Sequence, residues 1–240
     1  MNNKKLGVVG GMGPMATSMF FERVIERTVA HKDQDHIDMV ILNHASMPDR
    51  THAILTGDAK AFLENMEKDL KLLETIGVAH IAIPCNTSHY FMEQMKAMTS
   101  VKIIDMVEET AQSIQDQYGE GTRVGILATD GTVHTGTYKK ACLSRGLDFV
   151  NPEAHLQREV MKTIYDIKAG EAIDVVHFES IIKTMVDEYG CKVVILACTE
   201  LSLIKLSDAV KPYYIDAMDV LIKKSILYSG KAYKRNGSSE

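Results

Sequence analysis

The sequence predicts an α/β fold of two pseudo-symmetric lobes, each a parallel sheet flanked by helices, with the functional site in the cleft between them. Three observations carry this. Short apolar runs alternate with longer amphipathic segments along the chain, which is the pattern of parallel βα units. Two of those runs read as copies: Ala79-His80-Ile81-Ala82-Ile83-Pro84-Cys85-Asn86-Thr87 and Lys192-Val193-Val194-Ile195-Leu196-Ala197-Cys198-Thr199-Glu200. The stretch Leu6-Gly7-Val8-Val9-Gly10-Gly11 also has a counterpart, Val124-Gly125-Ile126-Leu127-Ala128-Thr129. Gly7 precedes Cys85 by 78 residues and Gly125 precedes Cys198 by 73. A repeat of that length implies two lobes rather than a solenoid. Any two α/β lobes share Val/Ile-rich strands, so the matched Cys-polar-polar endings are what favour true duplication.

In chain order, strands are expected over 5–10, 37–42, 79–84, 101–104, 122–128, 147–150, 192–197 and 213–215. Helices are expected over 14–30, 58–76, 88–99, 107–118, 136–145, 155–169, 173–189, 200–208 and 216–229. Pro14 suits the first turn of its helix, where a missing N–H costs nothing. Helix 58–76 shows the period well: Phe62, Met66, Leu70 and Leu73 share one face, while Glu64, Lys68 and Lys71 point away. Asp58 is its expected N-cap. Residues 1–102 plus 211–230 are assigned to the first lobe, 103–210 to the second, and 231–240 to a disordered tail.

The chain has 240 residues, 45% hydrophobic and 25% charged, enough to bury a sizeable core. Its net charge of −5 argues against a nucleic-acid partner, whose footprint is basic. No apolar run approaches the about 20 residues of a membrane span. The N-terminus enters a strand with no apolar leader, so a cytoplasmic protein without membrane attachment is expected. Cys85, Cys142, Cys191 and Cys198 are then expected as free thiols. Cys142 and Cys191 read as packing residues. No metal site is expected: Cys85 with His89 is the nearest to a ligand pair, and no second cluster accompanies it.

In α/β sheets ligands bind at the carboxyl ends of strands. Cys85, Cys198, Gly10–Gly13, Asn43 and Thr129 all fall there. Gly11-Met12-Gly13-Pro14-Met15-Ala16 satisfies G-x-G-x-x-A formally, yet the second strand ends in Asn43-His44 and lacks the acidic residue that a nucleotide ribose needs. A small-anion site at the helix N-terminus and a plain tight turn account for this loop equally well. Arg50, in an apparent loop, suits a bidentate grip on a carboxylate, although a lone loop Arg is often simply solvated. Lys168 before Gly170 is explained by helix-end electrostatics and capping alone. Asn86, Thr87 and Thr199 follow the two cysteines closely enough to donate to a thiolate or a bound carboxylate.

Pro84-Cys85-Asn86-Thr87 and Ala197-Cys198-Thr199-Glu200, with Met47-Pro48-Asp49-Arg50 and Ile164-Tyr165-Asp166-Ile167-Lys168, resemble the aspartate/glutamate racemase superfamily over essentially the whole chain, and within it the aspartate racemase branch. The resemblance implies an isomerase, often a homodimer, that inverts a small amino acid without pyridoxal phosphate or any other cofactor. It implies that Cys85 and Cys198 act as the two acid/base groups, one removing the α-proton and the other returning one to the opposite face. Arg50 and Lys168 would hold the substrate's carboxylates, Asn86, Thr87, Thr129, Thr199 and Glu200 would complete the binding set, and Met12 would form a wall. Glutamate racemases carry Asp-Ser-Gly in the first loop and a His after the second Cys. Here Gly11-Met12-Gly13 and Thr199-Glu200 stand instead, which favours aspartate. Glutamate or broad amino-acid specificity, a related isomerase, and a non-catalytic binding protein for dicarboxylic amino acids are the alternatives.

Overall fold

The computed structural model describes residues 4–234. Strands β1 (Leu6–Gly10), β2 (Met39–Asn43), β3 (His80–Ala82) and β4 (Lys102–Ile103) form one sheet in the order β2-β1-β3-β4. Strands β5 (Arg123–Ala128), β6 (Asp148–Val150), β7 (Val193–Ala197) and β8 (Tyr214–Asp216) form the other in the order β6-β5-β7-β8. Every pairing is parallel. The two orders are the same when each sheet is counted from its own first strand. β1 therefore corresponds to β5, and β3 to β7.

The helices are α1 (Pro14–Arg27), α2 (Arg50–Thr56), α3 (Lys60–Ile76), α4 (Met92–Met98), α5 (Met106–Tyr118), α6 (Asp130–Thr135), α7 (Thr137–Leu143), α8 (Ala154–Ala169), α9 (Val175–Asp187) and α10 (Ala217–Tyr228). On α3 the expected face, Phe62, Met66, Leu70 and Leu73, is the buried one. Its N-cap is Ala59 rather than Asp58, whose carboxylate accepts the Lys60 N–H at 3.4 Å. The duplication extends to a packing detail. A Cβ on Gly7 would lie 3.0 Å from Val78 and 3.1 Å from Leu73, and one on Gly125 would lie 2.8 Å from Met185 and 3.0 Å from Cys191. Each central strand thus uses glycine where the helix before the Cys-bearing strand presses closest.

One apolar cluster is shared by both sheets: Leu6, Val8 and Ala82 of the first lie with Val124, Ile126, Val193 and Ile195 of the second. Phe20 of α1, Val107 and Ile114 of α5, and Met218, Leu221 and Ile222 of α10 complete it. Separate outer clusters pack α3 and α4 on the first sheet and α8 and α9 on the second. Cys142 and Cys191 are buried in this packing, and burial pushes their thiols up to about 12 and about 11. All four cysteines are free.

Besides the α3 cap, the structure departs from the sequence reading in five places. Residues 211–230 do not all go with the first lobe: β8 pairs with β7 in the second sheet, and α10 packs on α1 and α5. The expected tail is ordered over 231–234. The Val29 N–H donates to Ala232 O at 3.0 Å, the Lys234 N–H donates to Arg27 O at 2.7 Å, and Thr28 bridges Tyr233. Residues 235–240 of that tail lie outside the described residues. Helix 200–208 is only the 3-10 turn Leu201–Leu203. Segment 136–145 is preceded by α6, and Gly136 at φ 63° separates α6 from α7. Arg50 opens α2 instead of lying in a loop. Among the described residues no helix is long and apolar enough to cross a membrane.

Because the central cluster serves both sheets, Phe20→Ala should lower stability by about 3–5 kcal/mol in one cooperative denaturant transition. Two separated transitions would contradict a shared core.

Candidate active site

Cys85 lies just beyond the carboxyl end of β3 and Cys198 directly after β7. Both line one cavity of about 20 Å³, with Met12, Asp49, Arg50, Thr51, Asn86, Thr87, Thr129, Lys168, Thr199 and Glu200. The ten residues named as catalytic or substrate-binding candidates are brought together there, whereas Gly10, Gly11, Gly13 and Asn43, also expected at strand ends, do not line it. Asp49 and Thr51 were not anticipated. Asp49 has a legible signal, since its carboxylate caps α2 by accepting the His52 N–H at 2.7 Å.

The Cys85 turn is held from behind. Its N–H donates to Ile83 O at 2.7 Å, and its carbonyl accepts Ser88 Oγ at 2.7 Å and His89 Nδ1 at 2.8 Å. His89 Nε2 accepts the Met106 N–H at 3.1 Å, so the ring is the neutral Nδ1–H tautomer. Burial holds its pKa below the usual 6.5. Both ring nitrogens are therefore committed to backbone, which disposes of the Cys85–His89 pair as a metal site. Among the described residues no group of three metal-ligating side chains exists.

Asn86 Oδ1 accepts the Tyr138 hydroxyl at 2.5 Å, which leaves Nδ2 as its free end, buried and without a partner. Thr87, Thr129 and Thr132 form a ring of hydroxyls at 3.0, 3.1 and 3.1 Å across the lobes. Close by, Gly131 of α6 meets Thr51 of α2: a Cβ there would lie 3.0 Å from Thr51 Oγ1. These are the contacts that close the cleft.

Arg50 donates Nη1 to Pro48 O at 3.0 Å and Nη2 to Met12 O at 3.2 Å, while its buried Nε has no partner. Opposite it, Cys198 Sγ donates to Glu200 Oε2 at 2.9 Å, and Lys168 Nζ lies 3.6 Å from Glu200 Oε1. Burial, then the charge of Glu200, push the Cys198 thiol well above its ordinary range. For Lys168 burial is the largest single effect and pulls downward, but Glu200, Cys198 and Cys85 together outweigh it and the net shift is upward. The glycine loop behaves as a tight turn rather than an open anion cradle. The Gly11 N–H donates to Thr17 Oγ1 at 2.8 Å, and Gly11 sits at φ 90°, where a Cβ would collide with the His44 backbone at 2.4 Å.

Parallel sheets of identical order, with matched Cys loops converging on one cavity, define a two-lobed α/β enzyme architecture. Residues 9–224 match the Asp/Glu/Hydantoin racemase family, and the chain belongs to it. It is 29% identical over 209 residues to the broad specificity amino-acid racemase RacX of Bacillus subtilis, covering 83% of this chain and 86% of that one. Its structure is similar to Picrophilus torridus aspartate racemase, with a TM-score of 0.81, 28% identity and 96% of each chain covered. Glutamate racemase from Campylobacter jejuni shares the fold at a TM-score of 0.59 and 15% identity, over 98% of this chain and 90% of that one.

Tyr138 reaches the site from a distance in sequence and carries no local motif. Tyr138→Phe strips a buried acceptor of its donor, so a loss of about 1–3 kcal/mol is expected in chemical denaturation. An unchanged midpoint would show that the bond contributes nothing.

Proposed function

We propose that this chain is a cofactor-independent amino-acid racemase that interconverts L- and D-aspartate with Cys85 and Cys198 as its two bases. The observation that carries the reading is the convergence of two cysteines, from corresponding strands of duplicated lobes, on one small cavity that also holds Arg50 and Lys168. A reaction that converts a centre into its mirror image needs an acid/base group on each face of Cα. In one direction a thiolate takes the Cα proton, and the electron pair passes into the carboxylate. The opposing thiol then donates its proton to the other face, so the protein ends with its proton on the first sulfur. In the reverse direction the roles exchange.

Two buried donors without protein partners, Arg50 Nε and Asn86 Nδ2, suit the α-carboxylate, whose charge grows as the carbanion forms. Thr87, Thr129 and Thr199 supply hydroxyls around it, and Met12 forms a wall. Lys168 is placed for a side-chain carboxylate. A cavity of about 20 Å³ holds a water rather than an amino acid. Arg50, Lys168 and Glu200 also line an adjoining cavity of about 270 Å³.

One observation favours a wider specificity. Lys168 is already paired with Glu200, so its charge is partly spent, and a neutral amino acid needs only the Arg50 side of the site. The similarity to a broad specificity racemase points the same way.

Incubation with L-aspartate, L-glutamate, L-alanine and L-methionine in heavy water, without added cofactor, tests the reading. D-isomer carrying α-deuterium is the expected product, and its yield ranks the substrates. Cys85→Ala and Cys198→Ala should each lower the rate by at least about 10²–10⁴-fold. Full activity in either variant would sink the two-base scheme. Arg50→Ala is expected to cost every substrate if Arg50 holds the α-carboxylate. A loss confined to aspartate and glutamate would instead place it at the side-chain carboxylate. Hydroxylamine, which captures pyridoxal phosphate, should leave the rate unchanged.

A further inference from the structure

The two half-sites are duplicated, yet two residues beyond each cysteine they differ in charge. The first lobe carries Thr87 there, in a ring of neutral hydroxyls. The second carries Glu200, and its carboxylate accepts the Cys198 S–H at 2.9 Å. Glu200 is buried. Room for it is made across the lobe boundary, since a Cβ on Gly13 would stand 3.2 Å from Oε1. On the opposite side Lys168 of α8 holds the same oxygen at 3.6 Å.

We propose that Glu200 is a positioning residue that keeps the proton on Cys198, so that Cys198 stands as the acid in the free protein. This rests on the two-cysteine reading and deepens it by assigning the resting proton. The charged and titratable groups around Cys198 are Glu200 on its own loop, Lys168 on α8, Arg50 at the start of α2, Asp49 as the cap of α2, and Cys85 across the cavity. Glu200 is the one that hydrogen-bonds to the thiol. Lys168 opposes it from farther out, through Glu200 itself. A carboxylate that accepts an S–H stabilises the thiol and penalises the thiolate, because ionisation would set two anions in contact.

The consequence is an uneven enzyme. The enantiomer whose conversion uses Cys198 as the acid meets that thiol already protonated. Its mirror image requires a form in which Cys198 has lost its proton beside a carboxylate. An equilibrium constant of one forces kcat/KM to be equal in the two directions, so the unevenness resides in kcat and KM separately.

The test is an ultraviolet thiolate titration of full-length Cys85→Ser protein, with the spectrum of Cys85→Ser/Cys198→Ser subtracted. The subtraction removes the tyrosines and the buried Cys142 and Cys191. Adding Glu200→Gln should move the Cys198 midpoint down by about 1–3 pH units. Glu200→Asp, which keeps the charge but retracts it, should fall between the two. A midpoint unmoved or raised in a Glu200→Gln protein with native circular dichroism would overturn the proposal. If Glu200→Gln does not fold, Glu200→Asp decides by the same sign. Racemisation by the Cys85→Ser protein would instead defeat the two-cysteine reading, and the titration would still decide the role of Glu200.

Discussion

The meeting of the two strand edges depends on the apolar core that the lobes share. Val8 and Ala82 from one sheet and Val124, Ile126, Val193 and Ile195 from the other are buried in the same cluster, sealed by Phe20 and α10. Close-packed interiors do not deform continuously, so the relation of the two sheets is set there and not at the cavity. The contacts that close the cleft are of another kind. Thr87 to Thr129 and Thr87 to Thr132 are single hydrogen bonds between lobes, each worth about 0.5–1.5 kcal/mol net. Such bonds can break and re-form while the core stays intact. The fold thus separates what holds the lobes from what shuts the site.

Around the cavity, order is imposed before any ligand arrives. The guanidinium of Arg50 spends its terminal nitrogens on the carbonyls of Pro48 and Met12, which fixes its plane and leaves Nε available. Tyr138 fixes Asn86 in the same way. His89 ties the Cys85 carbonyl to the first amide of α5, binding the loop to the central core. Donors held in this manner lose little freedom when a carboxylate meets them.

Much of this was legible in the sequence because it is periodic or local. The strands announce themselves by Val/Ile runs, and the amphipathic face of α3 by its 3.6-residue period. The cysteine loops are marked by their repetition. What was illegible depends on long-range contact. β8 is three residues long, and only its pairing with β7 assigns it to the second sheet. The ordering of 231–234 needs the far end of α1. α2 begins at Arg50 and buries a single residue, Ala53, so no stripe marks it. Segment 200–208 reads as apolar and helical, but it is tied to β8 and α1: Ser202 Oγ donates to Asp216 at 2.8 Å, and Arg23 of α1 donates to Ser202 O at 2.8 Å. Those ties hold a turn where propensity favours a helix. Tyr138 acts across 52 residues and His89 across 17, distances at which no spacing rule operates.

A symmetric scaffold with an asymmetric interior is consistent with the chemistry proposed for it. Mirror-image substrates have equal free energies in solution, and that equality constrains only the ratio of kcat/KM in the two directions. It places no condition on the two acid/base groups themselves, which need not share an environment or a resting protonation state. Duplication supplies opposed strand ends at matched depth, and that geometry is retained in the strand order and in Gly7 and Gly125. The residues after each cysteine were then free to diverge. Thr87 joined a ring of hydroxyls spanning the lobes, where it serves closure. Glu200 pairs with Lys168 and accepts the S–H of Cys198, the contact on which its proposed role rests. In the two-base reaction proposed for this site, the two loops divide two tasks, shutting water out and keeping one proton on Cys198.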